Sequence, residues 1–191
     1  MFRSILLLVF ISVLSSCNNK KIDFAIVVHG GAGTIIKANM SNEMELAYNQ
    51  KLEEAINTGY KILENGGTSL DAVESTIKIL ENSELFNAGK GSVLSNEEIV
   101  EMDASIMNGN NLNAGAISGV RTIKNPISAA RLVMEKSDHV FLSGIGAESF
   151  AKSKGLEIVN NEYFITKRRL NSLLNAKKRD TLKDNKFGTV G

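Results

Sequence analysis

The sequence has very little cysteine and proline and no tryptophan. The single cysteine, Cys17, excludes an internal disulfide and any metal site built from several cysteines. One proline in 191 residues argues against a disordered proline-rich linker. The formal net charge is only +1, so no overall charge excess points to nucleic acid. The remaining composition, with 43% hydrophobic residues and 16 glycines, is that of an ordinary globular protein of one domain or at most two.

The first 23 residues have the features of a targeting segment followed by a tether. A short positive start precedes Ile5–Leu14, a run of 10 mostly apolar residues, whereas a membrane-spanning helix needs about 20. Leu14-Ser15-Ser16-Cys17 resembles a bacterial lipobox, which implies a signal peptide over 1–16, lipid on Cys17 and a polar tether over 17–23. A plain signal peptide with an incidental cysteine is the alternative. The lipobox predicts a lipid-anchored protein of the bacterial cell envelope, facing the periplasm or the surface, that touches the membrane only through Cys17.

Hydrophobic patterns in the body of the chain predict strands that alternate with helices. Phe24–His29 is a short apolar run that predicts a buried strand, and it leads into glycines that lack the spacing of a nucleotide-binding loop. His29 is expected to be a structural residue at the strand end. Helices are predicted over 41–64, from Thr68, from Asn125-Pro126 and over 147–154. Further strands are predicted over 101–107, 111–120 and 139–143.

Two stretches have more than one interpretation. Leu85–Ser92 is rich in glycine, and such a loop can turn its carbonyl oxygens inward to hold a hard cation or can be a plain turn. Residues 167–186 hold eight basic side chains against Asp180 and Asp184, with few apolar anchors after Leu174. This composition predicts a solvated, flexible linker over 167–188. A nucleic-acid patch would need aromatic residues or a basic face on a folded element, so no nucleic-acid partner is predicted.

The last residues contain a Gly188-Thr189 pair between glycines. The pair could form an ordinary turn, or it could be a bond that is cut to make Thr189 a new N-terminus. An N-terminal threonine carries a hydroxyl nucleophile and a free amine that can act as its base. Because an α-amino group titrates near about 7.7–8.0, it can accept a proton close to neutral pH.

Five segments, taken together and in order, resemble plant-type L-asparaginase / isoaspartyl peptidase, a family of N-terminal-nucleophile hydrolases. The segments begin at His29, Phe86, Glu101, Asn125 and Phe187, and read HGGAG, FNAGKGS, EMDASIM, NPISAARLVM and FGTVG. The resemblance covers about residues 24–191. It implies an α/β fold, the αββα sandwich of these hydrolases, of which this chain would hold the N-terminal half.

The resemblance also implies site residues. The precursor would cut itself at Gly188–Thr189, and Thr189 would then attack the side-chain amide of asparagine or the β-linked bond of an isoaspartyl dipeptide. Asn87 matches an asparagine of the active-site loop. Catalysis needs no cofactor, but a structural sodium ion is allowed. Its main-chain oxygen ligands would come from Leu80, Glu81, Ser83, Phe86, Ala88 and Lys90.

The subunit organisation follows from the same resemblance. Residues 24–166 would form the α-subunit, and 189–191 would be the start of a β-subunit that supplies the substrate-binding groups. Two αβ pairs would assemble into an (αβ)₂ heterotetramer. Because the sequence stops two residues after Thr189, we expect a truncated precursor that is inactive alone and that exposes sheet faces, which would make it prone to aggregation.

Two other functions remain open at this stage. Glycosylasparaginase shares the fold and mechanism but cleaves sugar-linked asparagine. A non-catalytic surface lipoprotein, derived from a decayed gene, would also account for the early end of the chain.

Overall fold

The computed structural model describes residues 24–31 and 40–184. The predictions for the signal peptide, for Cys17 and for Gly188 and Thr189 therefore lie outside the described residues. In chain order the elements are α1 (Asn42–Glu64), α2 (Ser69–Glu81), β1 (Met102–Met107), β2 (Ala114–Val120), α3 (Pro126–Lys136), β3 (Phe141–Ser143), α4 (Gly144–Ser153), a 3₁₀ turn (Asn161–Tyr163) and α5 (Lys167–Asp184).

Helices α1 and α2 begin where the sequence predicts. The Ser41 hydroxyl accepts a hydrogen bond from the Met44 amide, and the Thr68 hydroxyl accepts one from the Asp71 amide. Each cap satisfies a backbone donor that the first helical turn leaves unpaired. Gly66 follows α1 with φ of +81°, a left-handed conformation that ends the helix. The two helices then pack against each other.

The three strands form one sheet in the order β1-β2-β3. Strands β1 and β2 are antiparallel, and β2 and β3 are parallel with α3 as their crossover. Ile117 of β2 is buried in a core that includes Val133 of α3 and Ala147 of α4, so both helices cover the same face of the sheet. On the other face, Met107 and Phe141 are 56% and 53% exposed. The predicted mixed α/β fold class is confirmed, and the described residues supply one helix layer and one sheet layer.

Gly115 sets how closely α3 approaches the sheet. A Cβ built there would overlap the Ala130 carbonyl oxygen and the Met134 amide nitrogen of α3. Backbone atoms of a helix cannot swing aside as a side chain can, so α3 would have to move as a unit.

Gly115→Ala is therefore expected to lower the free energy of unfolding by about 3 kcal/mol, since overpacking a tight contact forces backbone shifts. Urea denaturation of the purified protein measures this loss. Gly109→Ala is the matched control, because a Cβ there meets nothing within 4 Å. Equal effects from both substitutions would mean that Gly115 does not set the packing distance.

The predicted strand over Phe24–His29 is wrong. Residues 24–31 have no strand assignment, although alternate side chains are half-buried and Val27 is 89% exposed. A strand needs a hydrogen-bonded neighbour, and none is assigned to this segment among the described residues. The segment instead lays Ile26 and Val28 against α1 and α2.

The predicted flexible linker is also wrong over most of its length, since Lys167–Asp184 form helix α5. The side chains of Lys, Arg, Leu and Ala that fill it have good helix propensity. Thr166 starts the helix, because its carbonyl accepts from the Leu170 amide and its hydroxyl from the Arg169 amide. A basic composition predicts solvation, but Arg168 and Arg169 bond to the body of the protein.

Candidate active site

The glycine-rich segment that follows α2 closes into a tight loop. The Lys90 amide donates to the Glu81 carbonyl oxygen at 2.7 Å, which joins the two ends of the loop. Gly89 lies at φ +50° and Gly91 at φ +116°, conformations that favour glycine. A Cβ at Gly89 would overlap the Glu81 carbonyl oxygen. Both glycines are therefore required by the path of the backbone, and the stretch is more than a solvent-exposed turn.

Phe86 anchors the loop and places Asn87 at the surface. The Phe86 ring is buried and meets the Tyr48 ring edge-on, with centroids 5.5 Å apart. Asn87 follows directly and is exposed, and its Oδ1 accepts a hydrogen bond from the Val93 amide at 2.8 Å. The anchor and this hydrogen bond give Asn87 a defined position at the surface.

Asn87 lines a cleft of about 340 Å³. The cleft lies between the loop, the start of β1 and the ends of two helices. Its other lining residues are Glu81, Ala88, Gly89, Ser92, Val93, Glu101, Met102, Asp103 and Pro126. Asp103 is held in place by a hydrogen bond from the Gly119 amide at 2.8 Å, and Glu101 by an ion pair with Arg121 at 2.6 Å. The structure therefore brings the predicted Asn87 together with Glu101 and Asp103, for which the sequence predicts no role.

Glu81 is the most buried of these acids, at 3% exposure. Its carboxylate accepts from the Ile127 amide at 2.9 Å and from the Asn125 side-chain amide at 3.0 Å. Burial raises the pKa of Glu81 to about 7, and the two hydrogen bonds partly oppose that rise. Asn125 makes no side-chain capping hydrogen bond to α3. The Glu81 carboxylate instead accepts a backbone hydrogen bond from the first turn of that helix. The sequence suggested only a main-chain role for Glu81.

Glu81→Ala is expected to lower the free energy of unfolding by about 2 kcal/mol. The change leaves the buried Ile127 amide unpaired and takes away one of the two acceptors of the Asn125 side-chain amide, which keeps Asn82, and relief of the buried charge offsets part of that cost. Chemical denaturation measures the loss. Glu84→Ala is the control from the same loop, because its carboxylate is 61% exposed and pairs with Lys90, so its loss should stay below about 1 kcal/mol. A similar loss in both variants would contradict the role of Glu81 at α3.

The six residues assigned to a sodium site by resemblance all lie in or next to this loop. Two of their carbonyl oxygens, those of Glu81 and Phe86, face the space beside Gly89 and Gly91, and a Cβ on Gly91 would lie 2.8 Å from the Phe86 oxygen. Hard cations bind oxygen ligands, and the Glu81 oxygen already accepts from the Lys90 amide, so the sodium site stays a prediction. Among the described residues, no group of three His, Cys, Asp or Glu side chains could hold a metal.

A family model described as asparaginase matches residues 22–190. The isoaspartyl peptidase of Escherichia coli K12 is 46% identical over 176 residues, covering 87% of this chain and 55% of the relative. The isoaspartyl peptidase of Salmonella typhimurium is 47% identical over 152 residues, covering 80% and 49%. The isoaspartyl peptidase/L-asparaginase of Xenopus laevis is 48% identical over 143 residues, covering 75% and 45%. The chain thus spans about half the length of the curated relatives it matches.

The predicted lipid-anchored location in a bacterial envelope is contradicted by these relatives. They are isoaspartyl peptidases of two enteric bacteria and a frog, and their names carry no mark of a lipoprotein or membrane protein. The prediction rested on residues 1–17, which precede the matched region and lie outside the described residues. A short apolar run and one cysteine are too little sequence to outweigh a match over the body of the chain.

No helix in the described ranges is long and apolar enough to cross a membrane.

The resemblance that carried the fold and function predictions is confirmed by the match over residues 22–190 and by identities of 46–48% to the three relatives. On that evidence the chain belongs to the asparaginase family of hydrolases, the family that includes the isoaspartyl peptidases.

Proposed function

We propose that this chain is the N-terminal half of an amidohydrolase precursor, which cuts itself and thereby frees its nucleophile. Its substrates would be L-asparagine, which gives L-aspartate and ammonia, or β-aspartyl dipeptides, which give aspartate and a free amino acid, or both. The observation that carries the proposal is a family match that runs through Gly188 and Thr189. The names of the relatives, isoaspartyl peptidase and L-asparaginase, support the two substrate classes.

The first step would free the nucleophile. Thr189 Oγ attacks the carbonyl carbon of Gly188, the peptide C–N bond breaks, and the Gly188 acyl group passes to the Thr189 oxygen as an ester. Water then opens the ester, which leaves a carboxylate on Gly188 and a free amine and hydroxyl on Thr189. Glycine at 188 has no Cβ, so the backbone there can adopt the strained conformations that such an attack requires.

The second step would use the same oxygen on the substrate. The Thr189 amine takes the hydroxyl proton while Oγ attacks the side-chain carbonyl of asparagine. The amine then returns the proton to the departing ammonia, and a β-aspartyl ester remains on Thr189. Water attacks that ester, aspartate leaves, and the hydroxyl is restored. No cofactor takes part in this sequence.

The described residues would contribute the α-side wall of the site. Asn87 is the side chain on this wall that the resemblance assigns to the active-site loop, and the cleft beside it can admit a small polar substrate. A sodium ion would be held by main-chain oxygens that include those of Glu81 and Phe86. It would attract the partial negative charges of these oxygens and so make the loop that carries Asn87 more rigid.

The proposed partner is a β-subunit that begins at Thr189, in an (αβ)₂ heterotetramer. The open sheet face supports this proposal. It carries the exposed Met107 and Phe141, which a second layer would remove from water. An αββα sandwich has a second sheet in that position.

A substrate panel tests the proposal. Protein made from the full natural reading frame should release ammonia from L-asparagine or leucine from β-aspartyl-leucine, and should leave N-glycosylated asparagine intact. Cleavage of the glycosylated substrate alone would instead assign glycosylasparaginase activity. Absence of turnover on all three substrates would refute the amidohydrolase proposal.

A further inference from the structure

Helix α5 turns two consecutive arginines onto the glycine-rich loop. Arg168 Nη2 donates to the carbonyl oxygens of Glu84 at 3.0 Å and Leu85 at 2.7 Å. Arg169 Nε donates to the carbonyl oxygen of Gly91 at 2.6 Å. The two side chains therefore hold both ends of the segment that contains Asn87.

Tyr48 of α1 completes the contact at one end. Its hydroxyl accepts from Arg168 Nη1 at 2.8 Å and donates to the Leu85 carbonyl oxygen at 2.7 Å. The Tyr48 ring also packs edge-on against Phe86, next to Asn87. A single guanidinium thus joins α1, α5 and the loop, which requires the planar fork of arginine.

The charge of these arginines is directed at carbonyl oxygens. Among the described residues the ion pairs involve other cations, and neither Arg168 nor Arg169 takes part in one. Burial and the neighbouring Arg168 lower the pKa of Arg169. Burying the charged Arg169 guanidinium therefore costs free energy, which its hydrogen bond must offset. Hydrogen bonds from a charged donor are about twice as strong as neutral ones, which makes this pair a firm attachment for the loop.

The arginine-held carbonyls are a separate set from those of the proposed cation site. The arginines bind the oxygens of Glu84, Leu85 and Gly91. The resemblance assigns the oxygens of residues 80, 81, 83, 86, 88 and 90 to sodium. No residue belongs to both sets, so a cation held by the second set would not compete with the arginines for the same oxygen.

We propose that Arg168 and Arg169 are positioning residues for the reaction, which hold residues 86–90 so that Asn87 stays at the cleft. This inference rests on the proposed function. The arginines act through the loop and do not touch the substrate. Their loss should therefore disturb the geometry of the reacting groups more than the affinity for the substrate.

Arg168→Met and Arg169→Met test the proposal in the full-length protein. Each is expected to lower kcat by up to about 100-fold with KM little changed, because a displacement of about 1 Å at a reacting group has that effect. Arg168→Lys should fail to restore kcat, since an ammonium lacks the fork. Lys178→Met is the matched control, because Lys178 is an exposed cation on the same helix. If kcat were unchanged in both arginine variants while the wild type is active, this inference would be overturned and the proposed function would stand.

Hydrogen exchange supplies a readout that does not depend on turnover. The amides of Lys90, Gly91 and Val93 are bonded within or against the loop, and Arg168→Met should speed their exchange at least about 10-fold over Lys178→Met. A loss of kcat without faster exchange would assign the effect to some other part of the fold and would also overturn the inference. A wild type that turns over no substrate would remove the proposed function, and the inference with it.

Discussion

Thr189→Ala is expected to abolish both chain cleavage and hydrolysis. The alanine has no oxygen to attack the Gly188 carbonyl, so the precursor should stay as one chain. No nucleophile is then released for the substrate. Loss of an essential nucleophile lowers turnover by on the order of 10⁴-fold or more. Intact mass spectrometry of protein from the full natural reading frame reads the first effect, and an ammonia-release assay reads the second.

Two further variants make the Thr189 result specific. Thr189→Ser keeps a hydroxyl and should still be cut, so its second chain should begin at residue 189. Thr181→Ala removes a threonine eight residues earlier and should behave as wild type. A second chain that forms in Thr189→Ala would refute the proposed cleavage site. A wild-type protein that remains uncut would refute release of Thr189 altogether.

Gly89→Ala is expected to have the largest effect on the loop. Alanine at φ +50° is strained by about 1–2 kcal/mol, and its Cβ would also overlap the Glu81 carbonyl oxygen. Together the two costs come to about 4 kcal/mol of unfolding free energy. Because the overlap is with backbone, the protein can relieve it only by opening the loop, which would break the Lys90–Glu81 hydrogen bond and displace Asn87.

Gly66→Ala separates the two costs. Gly66 also has a positive φ, at +81°, but a Cβ there meets nothing within 4 Å. It should lose only the strain, about 1–2 kcal/mol, with unchanged turnover. Denaturation and kinetics on both variants give the comparison. If Gly89→Ala were no worse than Gly66→Ala in stability and kept its turnover, the loop would not be closed as described.

The sequence predicts the local elements well where their signals are local. The signals for a helix start lie within one helical turn, as for the caps at Ser41 and Thr68 and the Asn125-Pro126 pair. Helices α1, α2 and α3 therefore begin where the sequence predicts. The Phe24–His29 strand could not be judged in this way. Half-buried and exposed side chains do alternate along this segment in the structure. A strand, however, is defined by a hydrogen-bonded neighbouring strand, and a hydropathy pattern does not predict which neighbour is present.

The candidate site is only partly visible in the sequence for a related reason. Asn87 and the glycines are found because they stand in a recognisable order. The Glu81 carboxylate and the Arg168 guanidinium act on groups 46 and 83 residues away, and no local pattern encodes such contacts. The charge count of residues 167–186 favoured a solvated linker, because composition cannot show that two of those charges bond to carbonyl oxygens.

The Glu81–Ile127 hydrogen bond has a consequence for how the protein opens locally. The first turn of α3 receives its acceptor from the end of α2, and its own N-cap asparagine is engaged by the same carboxylate. Helix α3 therefore completes its N-terminal hydrogen bonds only while α2 is docked against it. We expect undocking of α2 and fraying of the first turn of α3 to occur together, so the Ile127 amide should exchange its hydrogen no more slowly than the opening of the α2 contact.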